Sequence, residues 1–142
     1  MKTPLETSRL WLAQAEHSLT ATQALLELGF WADACFHAEQ TAQLGLKAYL
    51  FFKGRRYVNI HSVRTLALEC GKEDADFLSF EEYGSFLDRY YLTTRYPDAL
   101  PAPSIPFQSF FEQEARQAVD QASEIVKSVR DKIPSESADP EP

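Results

Sequence analysis

The stretch that decides the fold class reads Ala34-Cys-Phe-His-Ala38-Glu-Gln-Thr-Ala42-Gln-Leu-Gly45. Small residues recur here every three or four positions, a spacing that puts them on one side of an α-helix. A seam of small side chains lets the backbone of a neighbouring helix approach closely. The pattern therefore predicts a packed helix from about Phe30 to Lys53, ended by Gly54.

A second helix is predicted before this segment. Thr3-Pro4-Leu-Glu6 is a capping box with proline in the first turn, where its missing N–H does no harm. An apolar stripe at three- and four-residue steps continues to Gly29, which is a natural helix end. Since little chain separates this helix from the next, the turn between them must be tight.

Three more helices are predicted after Gly54. A short one runs from His61 to Glu69 and is closed by Gly71, and a longer one starts at a second capping box, Ser79-Phe-Glu-Glu82. The last helix extends from about Phe107 to Ile133 and is stopped by Pro134. Its apolar side chains keep helical spacing: Phe107, Phe110, Phe111, Ala115, Ala118, Ala122, Ile125, Val129 and Ile133.

These patterns predict one all-α domain over residues 1–133. Four long helices with one short extra helix indicate an antiparallel up-and-down four-helix bundle. Residues 134–142 carry three acids, three prolines and no base, so we expect a disordered acidic tail.

Charge and composition restrict the partners. The formal net charge of −7 argues against bulk attraction to nucleic acid, although a local basic cleft is compatible with it. The N-terminus does not resemble a signal peptide and no apolar run is long enough for a membrane span, so we expect a cytoplasmic protein with no membrane partner. Cys35 and Cys70 have no metal-like spacing and are expected to be reduced and structural.

The corner Leu92-Thr-Thr-Arg95-Tyr-Pro-Asp98 is the strongest candidate for chemistry. Proline disfavours helix at Tyr96, so Arg95 and Asp98 lie at a helix end. The two side chains can pair as a structural clip, or Arg95 can face a ligand. Arg89 and Tyr91 lie nearby on the same predicted helix. A guanidinium with flanking phenols is suited to holding a phosphate and stacking a base, whereas burial of Tyr91 in the core is the alternative.

Other polar residues have simpler explanations. Gln40, Gln43 and Lys47 share one face of their helix, for which solvent exposure is the ordinary reason. His61 and Ser62 stand at a helix start, where Ser62 can cap the backbone. The three histidines are scattered and no catalytic motif is recognisable, so we expect no metal, no cofactor and no catalytic residue.

Three pieces of the chain resemble the HEPN domain, a small all-helical family. They are Phe36-His-Ala-Glu-Gln-Thr-Ala-Gln-Leu-Gly-Leu-Lys47, Asn59-Ile-His61-Ser-Val, and the corner that ends at Asp98. The resemblance covers about Leu5 to Ile133. Where the family usually has Gln-Ala-x-Glu-Lys-x-x-Lys, this chain keeps Gln40 and Lys47 but has Gln43 in place of the acid.

The resemblance implies a homodimer that binds a nucleotide or RNA without catalysis, beside a separately encoded minimal nucleotidyltransferase in a toxin–antitoxin-like pair. The implied nucleotide-binding residues are Arg95, Asp98, Tyr91, Tyr96, Arg89, Lys47, Gln40 and His61. One alternative is the family's metal-independent ribonuclease toxin, which uses an Arg-x4–6-His motif. No histidine follows Arg89 or Arg95 at that spacing, whereas Arg56 and His61 satisfy it in a loop. The other alternative is a pure dimerisation or interaction module.

Overall fold

The computed structural model describes residues 1–94 and 96–135, and this part of the chain is helical. Its α-helices are α1 (Pro4–Glu27), α2 (Trp31–Phe52), α3 (Val63–Glu73), α4 (Glu81–Asp88), α5 (Tyr90–Thr93) and α6 (Glu112–Lys132). Short 3₁₀ segments occupy Ala75–Phe80, Pro97–Ala99 and Pro106–Gln108. None of the helices described here is long and apolar enough to span a membrane. Of the predicted tail, only Pro134 and Ser135 lie within the described residues.

Helices α1 and α2 form an antiparallel hairpin. The predicted capping box at the start of α1 is confirmed, since the Thr3 hydroxyl accepts from the backbone N–H of Glu6 at 3.1 Å and the Glu6 carboxylate accepts from that of Thr3 at 3.0 Å. Gly29, with φ of 84°, ends α1 by the left-handed turn that glycine adopts without steric cost. Across the hairpin, the hydroxyls of Ser18 and Thr41 are hydrogen-bonded at 2.6 Å.

Helix α2 is the most buried helix of the bundle and packs against α1, α3 and α6. The predicted seam of small residues is confirmed, because Ala34, Ala38, Ala42 and Gly45 are all buried. At Gly45 the backbone of α2 approaches α6 closely, and an added Cβ would lie 3.5 Å from a methyl group of Val126. This contact places the middle of α2 directly on α6.

Gly54 ends α2 with a hydrogen-bonding pattern called the Schellman motif. The N–H of Arg55 donates to the carbonyl of Leu50 at 3.1 Å, and that of Gly54 donates to Phe51 at 3.0 Å. The motif needs a left-handed residue, and Gly54 has φ of 97°. The chain therefore leaves α2 in a fixed direction, and Arg55 and Arg56 lie at the C-terminal end of this helix.

Contacts at the two ends of α6 establish the direction of the remaining helices. Tyr90, in α5, donates to Glu114 near the start of α6 at 2.7 Å, whereas Asp74, before α4, accepts from Lys132 at the end of α6 at 2.7 Å. The α4–α5 segment is thus antiparallel to α6. Arg9 near the start of α1 donates to the carbonyl of Pro134, just after α6, at 3.0 Å. The predicted up-and-down bundle is confirmed, with α3 as the short extra helix.

The segment between α3 and α4 differs from the sequence prediction. Helix α3 continues through Gly71 to Glu73, and an added Cβ at Gly71 would stand 2.3 Å from the side chain of Leu78, so glycine serves close packing there. The prediction of a second capping box at Ser79 is wrong. Ser79 donates to the carbonyl of Asp76 at 3.0 Å within a 3₁₀ segment, and α4 starts without a side-chain cap.

The long helix predicted after Ser79 is interrupted at Arg89, between α4 and α5. The hydroxyls of Thr93 and Thr94 each donate, at 2.7 Å, to the carbonyl four residues before them. Threonine bonds of this kind often bend a helix. The helix end predicted at Arg95 lies outside the described residues.

The last helix starts at Glu112 rather than near Phe107. The Glu114 carboxylate accepts from the N–H of Phe111 at 3.0 Å and thereby fixes the first turn. Phe107 and Phe111 lie before the helix and are exposed, so the prediction that they belong to its apolar set is wrong. Phe110 is half-buried, and its ring contacts the ring of Tyr90 with 5.7 Å between centroids.

Candidate functional site

A shallow cavity of about 220 Å³ lies where α3 starts beside the end of α4. It is lined by His61, Ser62, Asp88 and Tyr91. The rings of His61 and Tyr91 are stacked, with 6.0 Å between centroids and 13° between planes. Two of the predicted site residues, distant in sequence, are therefore neighbours in the structure.

Asp88 holds this cavity together. Its carboxylate accepts from the hydroxyl of Ser62 at 2.7 Å, from the N–H of Val63 at 2.6 Å and from that of Arg64 at 3.3 Å. Ser62 itself accepts from the N–H of Thr65 at 3.1 Å, which confirms its predicted capping role. Asp88 thus compensates the unpaired amides of the α3 N-terminus from another helix.

Asp88 could not be identified from the sequence, because its partners are 24 to 26 residues away in the chain and nothing local indicates the contact. Its negative charge is engaged by three donors, so it opposes a negatively charged ligand less than a free carboxylate would. What the cavity offers a ligand is the exposed imidazole of His61 and the half-buried ring of Tyr91.

Arg89 follows Asp88 and is exposed. Its guanidinium carbon lies 5.1 Å from the ring centroid of Phe86 and 5.8 Å from that of Tyr90. Contacts of this kind hold a guanidinium near aromatic faces and leave its N–H groups available to an anion. Arg89 is thus a surface cation next in sequence to a residue that lines the cavity.

The corner that the sequence favours is partly described. Tyr96 is 47% exposed, and its N–H donates to the carbonyl of Leu92 at 3.2 Å. Asp98 is exposed within the 3₁₀ segment Pro97–Ala99. Arg95 lies outside the described residues, so its pairing with Asp98 and its orientation toward a ligand both stay predictions.

Gln40 and Lys47 belong to a separate polar cluster on α2. At its centre is the carboxylate of Glu39, which is fully buried and accepts from the side-chain amides of Gln40 at 2.6 Å and of Gln43. Burial lowers the pKa of Lys47, and the nearby carboxylate of Glu39 acts in the opposite direction. The prediction of a solvated face is wrong for Gln43 and Lys47, which are largely buried.

The Arg-x4–6-His spacing of Arg56 and His61 does not place these two residues in one cavity. His61 lines the cavity beside Tyr91, whereas Arg56 lines another cavity with Lys2, Phe51 and Arg55. A general acid or base must reach the group that it serves within hydrogen-bond distance. The described geometry therefore gives no support to a catalytic pair of Arg56 and His61.

The part of the chain that the structure describes contains no group of three metal-binding side chains. The cavity near His61 presents the two stacked rings of His61 and Tyr91, and Arg89 does not line it. Aromatic rings of this kind stack planar groups. Contact with a planar ligand is the chemistry that the two rings can provide.

The protein is a small all-α bundle domain. Its helices alternate in direction, the α4–α5 segment is interrupted at Arg89, and α2 carries a buried polar cluster. Residues 8–132 match the HEPN domain, so the chain belongs to the HEPN family. This confirms the resemblance found in the sequence. No curated protein matches the chain.

Two solved structures share the fold. TT1696 from Thermus thermophilus is 39% identical, with a TM-score of 0.80, over 88% of this chain and 97% of that one. ST0689, an archaeal HEPN homologue, is 28% identical, with a TM-score of 0.72, over 94% of this chain and 100% of that one. Both likenesses extend over nearly the whole bundle.

Proposed function

We propose that the protein is a non-catalytic HEPN module that binds a nucleotide or an RNA end between the His61 cavity and the Arg95 corner. We further propose that it acts as a homodimer beside a separately encoded minimal nucleotidyltransferase. Membership of the family supports the general assignment. The observation that carries the nucleotide assignment is the stack of His61 on Tyr91 beside a surface cavity.

A base is the part of the ligand that this stack fits. Bases stack on aromatic side chains with little dependence on sequence, at about 1–3 kcal/mol per base. His61 is exposed, so one face of its ring is open to such a contact. Tyr96, also exposed, provides a second aromatic surface at the corner.

Phosphate oxygens would be held by arginines. Arg89 is exposed next to Asp88, and we propose that Arg95 adds a second guanidinium, oriented by Asp98. Arginine presents several donors in a plane and matches phosphate geometry. Gln40 and Lys47 lie in the buried α2 cluster, so we propose that they position the corner through Glu39 instead of touching the ligand.

Thermal unfolding with and without millimolar ATP, GTP or short RNA tests this proposal. A ligand that binds only the folded state raises the midpoint. We expect a rise in the wild type that is lost in His61→Ala and in Arg95→Ala. His17→Ala is the matched control for the first variant, because His17 is an exposed histidine on α1.

The result that contradicts the site is a midpoint shift of equal size in wild type, His61→Ala and Arg95→Ala. The hydrogen bonds that cap α3 come from Ser62 and Asp88 and do not involve the exposed side chain of His61. We therefore expect His61→Ala to fold. A loss of helical circular dichroism in Arg95→Ala, by contrast, would favour the structural clip with Asp98.

The interaction module is a second candidate, favoured by exposed phenylalanines. Phe111 is 73% exposed, and Phe107 and Phe30 are also exposed. Exposed aromatic residues of this size are typical of protein contacts. If they form the homodimer, light scattering should give a dimer mass for the wild type and a monomer mass for Phe111→Ser. A purely interacting protein would show this change and no midpoint shift with any nucleotide.

A further inference from the structure

A second cavity, of about 460 Å³, lies where α1 starts beside the end of α2. Its lining includes Lys2, Arg55 and Arg56, together with Thr7 and Phe51. No acidic residue is among its lining residues in the described part of the chain. Three cations around one recess are unusual for a chain with 14 basic and 21 acidic residues.

The three cations differ in how far they are neutralised. The Arg55 guanidinium is paired with the Glu69 carboxylate at 2.5 Å, which also pairs with Lys72 at 3.0 Å. Lys2 and Arg56 are exposed and form no ion pair with any residue that the structure describes. Two positive charges at this recess therefore remain without a counter-charge.

The helix dipole accounts for only part of this arrangement. Cations near the C-terminus of a helix are favourable, and Arg55 and Arg56 follow the end of α2. Lys2 precedes α1 instead, and the dipole of α1 does not favour a cation there. A role in helix stability thus leaves the position of Lys2 unexplained.

We propose that this cavity is a separate anion site for a small molecule that carries linked phosphates. Its volume is within the range of roughly 300–1,000 Å³ that is usual for small-ligand sites. Arg56 would hold phosphate oxygens through its planar donors, Lys2 would add a point charge, and the hydroxyl of Thr7 would donate a further hydrogen bond.

A compact ligand fits the charge distribution better than a long polyanion. The net charge of −7 opposes an extended nucleic acid, which would reach beyond the recess. A short polyphosphate lies within the recess and avoids that repulsion. None of the residues lining this cavity lines the His61 cavity, so the two sites can be tested separately.

Titration calorimetry of the full chain at low ionic strength, with sodium tripolyphosphate as the probe, tests this assignment. We expect binding by the wild type that weakens about tenfold or more in Arg56→Ala, since a hydrogen bond to a charged group is lost. Lys2→Ala should weaken it less, and added salt should weaken it throughout. Arg130→Ala removes an exposed arginine from α6 and is the matched control.

Each outcome supports or overturns the assignment. Binding that persists in His61→Ala and fails in Arg56→Ala supports it, whether or not the nucleotide site near Arg95 exists. The absence of binding by the wild type, or an equal loss in Arg130→Ala, overturns it. Short RNA that binds through Arg56 and Lys2 while tripolyphosphate does not would overturn the small-molecule class. Arg56 makes no hydrogen bond with a described residue, so we expect its variant to remain folded.

Discussion

Replacement of Gly84 by alanine should destabilise the protein because α3 and α4 touch through their backbones. An added Cβ would lie 2.3 Å from the Cα of Arg64 and 2.4 Å from its nitrogen. Ordinary contact begins near 3.4 Å, so α4 must move away from α3 by about 1 Å. Backbone atoms cannot move aside as a flexible side chain can.

The magnitude follows from three terms. Overpacking of this kind costs about 1–3 kcal/mol. Alanine regains about 1 kcal/mol of helix propensity over glycine. A displaced α4 also weakens the contacts of Asp88 with the α3 N-terminus, a cap that contributes about 1 kcal/mol. The net expectation for Gly84→Ala is a loss of about 2 kcal/mol in the free energy of unfolding.

Gly45→Ala is the matched control, because Gly45 is also a buried glycine within a helix. Its added Cβ would lie 3.5 Å from Val126, an ordinary contact, so we expect a neutral or stabilising effect of up to about 1 kcal/mol. Urea unfolding monitored by circular dichroism at equal protein concentration measures both. A Gly84→Ala variant as stable as the wild type would refute the reasoning about the α3–α4 contact.

Three further predictions concern single side chains. Asp88→Ala should lower the free energy of unfolding by about 1–3 kcal/mol in urea, because three donors at the α3 N-terminus lose their acceptor; an unchanged midpoint would contradict the cap. Hydrogen bonds from Lys132 and from a backbone N–H lower the pKa of Asp74 in the folded protein. As the pH falls, the Asp74 carboxylate therefore takes up a proton in the unfolded chain before it does so in the folded one. The stabilisation that is present above about pH 4 is lost as the pH falls through the lowered pKa. Lys132→Met should flatten this acid limb of the stability profile, and a profile parallel to that of the wild type would argue against it. Burial raises the pKa of Cys35 to about 12 and that of Cys70 further, so a thiol reagent at pH 8 should modify both in urea and neither in the native state.

The ends of α1 and α2 could be predicted because their signals are local. A capping box needs only residues three apart, as at Thr3 and Glu6, and a left-handed helix end needs a glycine, as at Gly29 and Gly54. These features act before any tertiary contact forms. The direction of the helices followed from their number and short connections.

The start of α6 could not be predicted, because Phe107 and Phe111 continue the apolar spacing of the helix that follows. Periodicity cannot show that Glu114 fixes the first turn at Phe111. The break at Arg89 was missed for a related reason. At Arg89 the backbone N–H donates to the carbonyl of Phe86, three residues before it, at 3.3 Å, and the apolar spacing does not reveal this tightened turn.

The candidate site was predicted in its residue types and only partly in its arrangement. His61 was proposed from the resemblance and Tyr91 from its place near Arg89 and Arg95, and the structure brings the rings of His61 and Tyr91 together. Glu39 and Asp88 were missed. One is a carboxylate that is fully buried on α2, and the other caps a helix start far away in the chain. Both depend on contacts that only the folded bundle provides.

The carboxylate of Asp88 caps the start of α3 and also lines the His61 cavity, so one contact determines both the order of α3 and the shape of the cavity. The amides of Val63 and Arg64 exchange with solvent only when this carboxylate releases them. A ligand that binds to His61 and Tyr91 would also hold the start of α3 in place and should slow this exchange. Ligand binding in the cavity should then be measurable as slower hydrogen exchange at the amides of Val63 and Arg64.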